Sequence, residues 1–462
     1  MQEPQPEQFD FVVVGAGAAG EAAAHLALDR GASVAVIERE LFGGSCAYWA
    51  CVPSKALLHA AAVHKAGGDF PWRRAAEFRD WNINRKSGDL PDDSGHVRKI
   101  EKKGGTAIRG TARLAGPGRV QVEPTDGSPP RTLAASHIVL AVGSRSRVPD
   151  IPGLAQVRYW TNRQATTTRQ LPRSLLVLGG GPTGVELAQV FARYDVPTTL
   201  VDSNPRILTR DHPRNSAELQ AALERDGVRI LVGQRAVSVA AGHGGDGAHR
   251  VELSDGSSVE GHEILLAIGR TYPLDGLGLE TIGVEPDEDG RLQPDVTLRI
   301  APDVYLAGDP AGPEMHTHLA HYEGELAARI ALGDEVVPDL RAIPRATYTD
   351  PETASVGLTV EQALEQGFEV TERTLELAQT AKGYVSQATG HVTIVVDRER
   401  GTLLGCFMAG PGVSEAIHEA VLAVKLQVPL HILADTLHAY PTVARVLGTL
   451  FAQVAIELAP AD

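Results

Sequence analysis

Two long stretches of the chain share one pattern of apolar and polar positions. In FDFVVVGAGAAGEAAAHLALDRGASVAVIERE, residues 9–40, an unbroken apolar run gives way to glycines, an alanine-rich segment, a second apolar run and an acid. Short apolar runs bounded by glycine predict buried strands, and the longer segment between them predicts a helix. The result is a complete βαβ unit with Gly15, Gly17 and Gly20 in G-x-G-x-x-G spacing and Glu38 closing the second strand. Such glycines let the backbone approach a pyrophosphate at the helix N-terminus, and the acid accepts hydrogen bonds from a ribose diol.

The pattern recurs in SLLVLGGGPTGVELAQVFARYDVPTTLVDSN, with Gly179, Gly181 and Gly184 after a strand and Asp202 at the end of the next. Two such units predict two nucleotide-type ligands, and one flavin with one nicotinamide fits better than two identical cofactors. An acid at Asp202 favours the free ribose of NADH over the 2′-phosphate of NADPH. Arg206 and Arg210 follow closely and offer the opposite charge, so NADH is the preference and NADPH the alternative. Three further apolar strands end near glycine or acid: HIVLAVGS at Gly143, EILLAIGR at Gly269, and VYLAGD at Asp309. Gly143 and Gly269 mark strands that approach a bound dinucleotide. Asp309 is placed to bind ribityl hydroxyls or to cap the next segment.

Between these units lies GGSCAYWACVPSK, Gly43 to Lys55, with two cysteines five residues apart. A regular helix from Cys46 to Cys51 would separate them by about 7.5 Å along its axis, beyond the roughly 7 Å Cα limit for a disulfide. One of them must therefore sit in an irregular turn, for which Gly43 and Gly44 supply backbone freedom. The run after Pro53 continues as helix and puts Lys55 one turn from Cys51. The pair reads as a redox disulfide beside a flavin; a structural bridge or half of a metal site are the alternatives. The third cysteine, Cys406, is distant and lies in a strand-like core segment, so no metal ligand set is expected.

The 462 residues, 43% of them hydrophobic, can bury several cores and predict about three domains. A net charge of -15 and the lack of a basic stripe argue against nucleic acid or an anionic membrane as partner. Met1 to Gln8 has neither the charged start nor the apolar core of a signal peptide, which leaves the cytoplasm as the expected location. In a reducing compartment a close cysteine pair is catalytic more often than structural.

Together these motifs resemble the class I pyridine nucleotide-disulfide oxidoreductases, such as dihydrolipoamide dehydrogenase, glutathione and mycothione reductases, and mercuric reductase. GRTYPLDGLGLE, THLAHYEGELAA, TYTDPETASVGLT, GPGVSEAI and HAYPT extend the resemblance over almost the whole chain. It implies an α/β fold of two Rossmann-like dinucleotide-binding domains plus an α+β carboxy-terminal dimerisation domain. The implied boundaries are an FAD domain at 1–155, an NAD(P)H domain at 156–275, a central part at 276–340 returning to the FAD domain, and an interface domain at 341–462. It further implies a homodimer, with electrons passing from NAD(P)H to FAD, then to the Cys46–Cys51 disulfide, then to substrate. Cys51 would face the flavin, Cys46 would be the outer interchange thiol, and Lys55 and Glu186 would pair near flavin N5. A cation at Lys55 stabilises both a reduced flavin and a nearby thiolate.

Two places depart from the family. Its carboxy-terminal motif reads approximately H-x-H-P-T-x-x-E, with the second histidine as acid/base; here Tyr440 holds that position and Arg445 that of the glutamate. A phenol with a pKa of about 10 is a poor proton acceptor at neutral pH, unlike an imidazole of about 6.5. His438, two residues earlier, is the candidate substitute, and Tyr440 with Arg445 is the other. Within the cysteine pair the family commonly has C-x-N-x-G-C, whereas Tyr48, Trp49 and Ala50 stand here, as an aromatic platform or as core filling. Mercuric reductases also carry a tyrosine for the histidine, but with a vicinal cysteine pair at the carboxy terminus, and the closing LAPAD has none. The expected activity is therefore FAD-dependent, NAD(P)H-linked oxidoreduction of a non-standard small disulfide or dithiol, in either direction. An NAD(P)H-dependent quinone, dye or metal reductase is the alternative, and a flavin-bound partner protein without chemistry the third reading.

Overall fold

The computed structural model describes residues 5–86, 88, 90–242 and 247–459. The chain divides into two compact units, the first of residues 1–56, 76–147 and 269–338, the second of 57–75, 148–268 and 339–462.

In the first unit the strand Glu7–Val14 pairs in parallel with Val34–Glu38 on one side and Arg131–Leu140 on the other. Thr106–Leu114 extends one flank and Val304–Leu306 the other, both parallel. Arg119–Pro124 runs antiparallel to Thr106–Leu114 and Arg131–Leu140. Register sets the function of this sheet. Val14 lies opposite both Ile37 and Leu140, and Leu140 opposite Leu306, so Gly15, Glu38, Gly143 and Asp309 all emerge along one edge. That is where doubly wound sheets bind ligands.

The helices Ala18–Asp29 and Thr317–Ala331 share a core with this sheet, built from small residues such as Ala19, Ala23, Ala27, Ala320 and Ala327. Small side chains let the two helices approach closely. At Gly324 the approach is closest: a Cβ there would sit 2.1 Å from the carbonyl oxygen of Ala19.

The second unit repeats the doubly wound plan on a smaller scale. Its parallel sheet has the order Glu263–Leu266, Leu175–Leu178, Thr198–Asp202, Val228–Val232, with Leu178 opposite both Leu266 and Val201. Gly179 and Asp202 thus share one edge. A three-stranded antiparallel sheet of Ala236–Ala240, His249–Leu253 and Ser258–Gly261 packs through Val239, Val251 and Val259 against Leu176, Leu178 and Ile264. The carboxy-terminal part is a five-stranded antiparallel sheet with the helices Val413–Leu426 and Val443–Leu458 over its apolar face. The fold class expected from the sequence is the one observed.

Residues 57–75 join the second unit, where Leu57, Ala61 and Trp72 share a core with Val185, Phe191 and Tyr194. Phe191 is fully buried and rests against Trp72 and Trp160. Phe191→Ala should destabilise this unit by about 3–5 kcal/mol, read from chemical denaturation followed by tryptophan fluorescence.

Candidate active site

The cysteine segment begins with two glycines in the left-handed region, Gly43 at φ 102° and Gly44 at φ 66°. They turn the chain into a five-residue helix, Gly44–Tyr48, which stops at Trp49 and Ala50 before Cys51 opens the helix Cys51–Lys65. The required irregularity is therefore this break, and Cys46 and Cys51 lie on opposite sides of it. Gly43 N–H donates to the Ala16 carbonyl at 2.8 Å, and a Cβ at Gly44 would come within 2.6 Å of Gly17 Cα. The cysteine turn rests directly on the first glycine turn.

Both cysteines are thiols in the structure and both are partly buried. Cys46 donates to the Cys51 sulfur, and this hydrogen bond, with burial, holds its thiol well above the ordinary range. Thr317 and the charge of Lys55 act in the opposite direction. Thr317 Oγ1 also lies 3.4 Å from Cys51 Sγ. Cys46 thus holds its proton firmly, and Lys55 lies one turn along the helix from Cys51. Thr317 stands 266 residues from Cys51. No local pattern in the sequence marks it.

Tyr48 and Trp49 do not form an exposed platform. They are 3% and 7% exposed and pack with Leu41 and Ile83 as a small core beneath the turn. His96 supports the same turn, with Nδ1 2.7 Å from Glu21 Oε1 and its ring against Gly43.

At the strand edge Gly15 and Gly20 pack against backbone, while Gly17 begins the helix Ala18–Asp29. Glu38 accepts from Ala16 N–H at 2.9 Å and from Glu40 N–H at 2.7 Å, and burial pushes its carboxyl up. Space is open where a Cβ would stand at Gly143. Asp309 accepts from the Ser144 hydroxyl, and Arg270 donates to both the hydroxyl and carbonyl of Ser144 while its Nε lies 3.7 Å from Asp309. Neither Ser144 nor Arg270 was expected as a site residue; EILLAIGR contains Arg270, but its partners lie on other strands. Behind Asp309, the buried Glu323 accepts from Gly308 N–H at 2.8 Å. Its carboxyl is pushed up to about 7 by burial and by the charge of Asp309. The glycine cradle, the acid at the second strand and the oriented Asp309 fit the adenosine, pyrophosphate and ribityl groups of FAD.

In the second unit Gly181 begins the helix Pro182–Ala192 with open space before it, and Gly179 and Gly184 are pressed against backbone. Asp202 accepts from Gly180 N–H and, at 2.7 Å, from Asn204 N–H. Arg206 is turned away from a ligand role: it donates to the carbonyls of Leu208, Thr209 and Asp211 at 2.9, 2.9 and 2.7 Å. Arg210 is exposed, and space is open where a Cβ would stand at Gly269, which belongs to the first unit. Glu186 is buried and accepts from Tyr348 N–H at 3.0 Å. These features fit a nicotinamide dinucleotide.

Of the carboxy-terminal candidates, His438 points inward. Its side chain is 4% exposed, Nε2 lies 2.7 Å from Glu419 Oε1, and Nδ1 is buried without a partner among the described residues. An Nε2–H tautomer satisfies both facts, since a lone pair is cheaper to bury unpaired than an N–H. Tyr440 is 74% exposed, and Arg445 is exposed with its N–H capped by Thr442. Cys406 is fully buried in the strand Thr402–Gly410, where burial pushes its thiol up. Among the described residues no cluster of three or more His, Cys, Asp or Glu is placed to hold a metal, and no helix is long and apolar enough to cross a membrane.

Comparison with known proteins places these features in one family. Residues 9–324 match the pyridine nucleotide-disulphide oxidoreductase model, and residues 343–451 match its dimerisation domain. A dihydrolipoyl dehydrogenase of Halobacterium salinarum is 34% identical over 450 residues, covering 94% of each chain. A mercuric reductase of Streptomyces lividans is 34% identical over 451 residues, covering 95% of this chain and 94% of its own. Among solved structures, LpdA of Mycobacterium tuberculosis superposes with a TM-score of 0.87 at 26% identity, over 97% of this chain and 99% of its own. RclA of Escherichia coli, described as an HOCl-induced flavoprotein disulfide reductase, shares the fold with a TM-score of 0.86 at 23% identity, over 96% and 100%. With both dinucleotide turns, the cysteine pair and these matches over nearly its whole length, the chain belongs to the pyridine nucleotide-disulphide oxidoreductases, FAD-dependent enzymes that draw electrons from NAD(P)H.

Proposed function

We propose that this protein is a homodimeric thiol/disulfide oxidoreductase of the cytoplasm that uses Cys46 and Cys51 on a small disulfide or dithiol outside the family's common substrates. The observation that carries this reading is the hydrogen-bonded set of Cys46, Cys51 and Thr317 with Lys55 one turn away. We assign residues 1–155 and 276–340 to FAD, 156–275 to the nicotinamide dinucleotide and 341–462 to the dimer interface.

When bound, FAD and the nicotinamide supply the two electrons that keep the cysteine pair reduced. In disulfide reduction, Cys46 loses its proton and attacks one substrate sulfur, forming a mixed disulfide and releasing the first thiol. Cys51 then attacks the Cys46 sulfur, which closes the Cys46–Cys51 disulfide and releases the second thiol. Thr317 and Lys55 hold charge on Cys51 between these steps. The same sequence runs backwards for dithiol oxidation. Single Cys46→Ser and Cys51→Ser variants should each lower disulfide turnover by about a thousandfold or more. Unchanged turnover in either would overturn the reading.

A second reading has electrons pass directly from flavin to a quinone, dye or metal ion. It draws on Tyr440 and Arg445 at the acid/base positions and on the mercuric reductase relative. Full quinone reduction by a Cys46→Ser/Cys51→Ser double variant, with no disulfide turnover in the native protein, would favour it. If Tyr440 stands where proton transfer is needed, Tyr440→His should raise disulfide turnover at neutral pH by about tenfold or more, with a new pH limb near the imidazole pKa.

NADH is the proposed donor. Asp202 closes its strand where a ribose diol would lie, and Arg206 is spent on its own loop. Steady-state kinetics should give kcat/KM at least about tenfold higher for NADH than for NADPH, and Asp202→Ala should narrow that ratio.

A further inference from the structure

We infer that Glu323 is a positioning residue of the flavin site, holding the turn that carries Asp309, and that FAD binding is coupled to protonation of this carboxyl. The inference rests on FAD occupying the edge of the first unit's sheet and needs no thiol substrate.

Glu323 lies on the helix Thr317–Ala331 and is 1% exposed. One oxygen, Oε2, accepts from Gly308 N–H at 2.8 Å, the residue immediately before Asp309. The other, Oε1, is buried with no hydrogen-bond partner among the described residues. Gly312 covers it so closely that a Cβ there would stand 2.8 Å from Oε1. A buried carboxylate with one donor and no cation is poorly compensated, whereas the neutral acid buries no charge. Burial raises its pKa most, the Gly308 N–H bond opposes the rise, and the charge of Asp309 adds to it, to reach about 7.

The neighbouring charges leave Asp309 as the one that acts on it. Arg270 is engaged with Ser144 and Asp309. On the helix Ala18–Asp29, Glu21 pairs with His96, and burial holds His25 towards its neutral form. On its own helix His321 pairs with Glu325, and just before that helix Glu314 pairs with His316. None of these supplies a counter-charge to Glu323.

Ionised Glu323 repels Asp309, and burial outweighs the opposite pull of the Gly308 N–H bond, so the turn is held with least repulsion when Glu323 is neutral. FAD brings a negatively charged pyrophosphate and excludes water, and both effects favour the neutral acid further. Binding therefore takes up a proton wherever Glu323 would otherwise be ionised, that is, above about pH 7. Affinity is highest below that point and falls as pH rises through it.

The test is the FAD dissociation constant of purified holoenzyme, measured by the fluorescence of released FAD on dilution between about pH 6 and pH 9. The native protein should hold a constant Kd below about pH 7 and lose up to about tenfold in affinity per pH unit above it. Glu323→Gln keeps an acceptor for Gly308 N–H and cannot ionise, so its Kd should stay flat across the range. A flat native profile, or a Glu323→Gln profile with the native slope, overturns the inference. Asp309→Asn provides a second check should that variant fail to fold. Removing the opposing charge lets Glu323 ionise earlier, so the onset of the slope should move to lower pH, and an unmoved onset overturns the inference.

Discussion

The first unit's site depends on a contact between two pieces of backbone. Gly44 meets Gly17 so closely that any side chain at Gly44 would collide with Gly17 Cα, and Gly43 donates to the carbonyl of Ala16. This contact fastens the cysteine segment to the turn that begins the dinucleotide helix. From it follows the five-residue helix bearing Cys46, the break at Trp49 and Ala50, and the start of the next helix at Cys51. Tyr48 and Trp49 serve the same end from below, since their burial with Leu41 and Ile83 gives the break a rigid floor. A dithiol that exchanges partners needs that rigidity, because thiol attack demands a fixed approach of one sulfur to another.

A second regularity concerns what buried acids do at the glycine turns. Glu38 accepts from Ala16, Asp202 from Gly180, and Glu323 from Gly308, each a backbone N–H in a turn at the carboxyl end of a strand. Buried N–H groups must find acceptors, and a turn shaped for a ligand cannot use the sheet for them. Glu38 and Asp202 therefore shape the turn itself. Their second oxygens are also bonded, to Glu40 and Asn204. Glu323 differs in leaving one oxygen unpartnered among the described residues, and its carboxyl is pushed up to about 7, chiefly by burial.

In the carboxy-terminal part, His438 and Tyr440 take opposite environments although they are two residues apart. The imidazole is drawn inward by Glu419 and lies where Gly448 leaves room for its ring. The phenol stays at the surface, and Leu437 and Ile456 in the same part of the chain are exposed as well. Exposed apolar side chains in and next to a segment matching a dimerisation domain are what a partner subunit would cover.

Much of this protein was legible in its sequence because the relevant physics is local. The G-x-G-x-x-G spacings, the apolar runs and the acid beyond each third glycine all act within one βαβ unit, so the strands, helices and turns appear where the pattern puts them. The five-residue gap between Cys46 and Cys51 likewise demanded a break in the helix, and the break is there. What the sequence could not reveal are groups whose partners come from distant segments. Thr317 reaches Cys51 and Cys46, Arg270 and Ser144 orient Asp309, and His438 turns to Glu419 only through tertiary packing. Glu323 is the clearest case, an unremarkable acid in THLAHYEGELAA until burial under Gly312 removes its water and leaves it one hydrogen bond. Spacing determines local conformation, but desolvation and the choice of partner are properties of the assembled fold, and those decide the chemistry of a buried group.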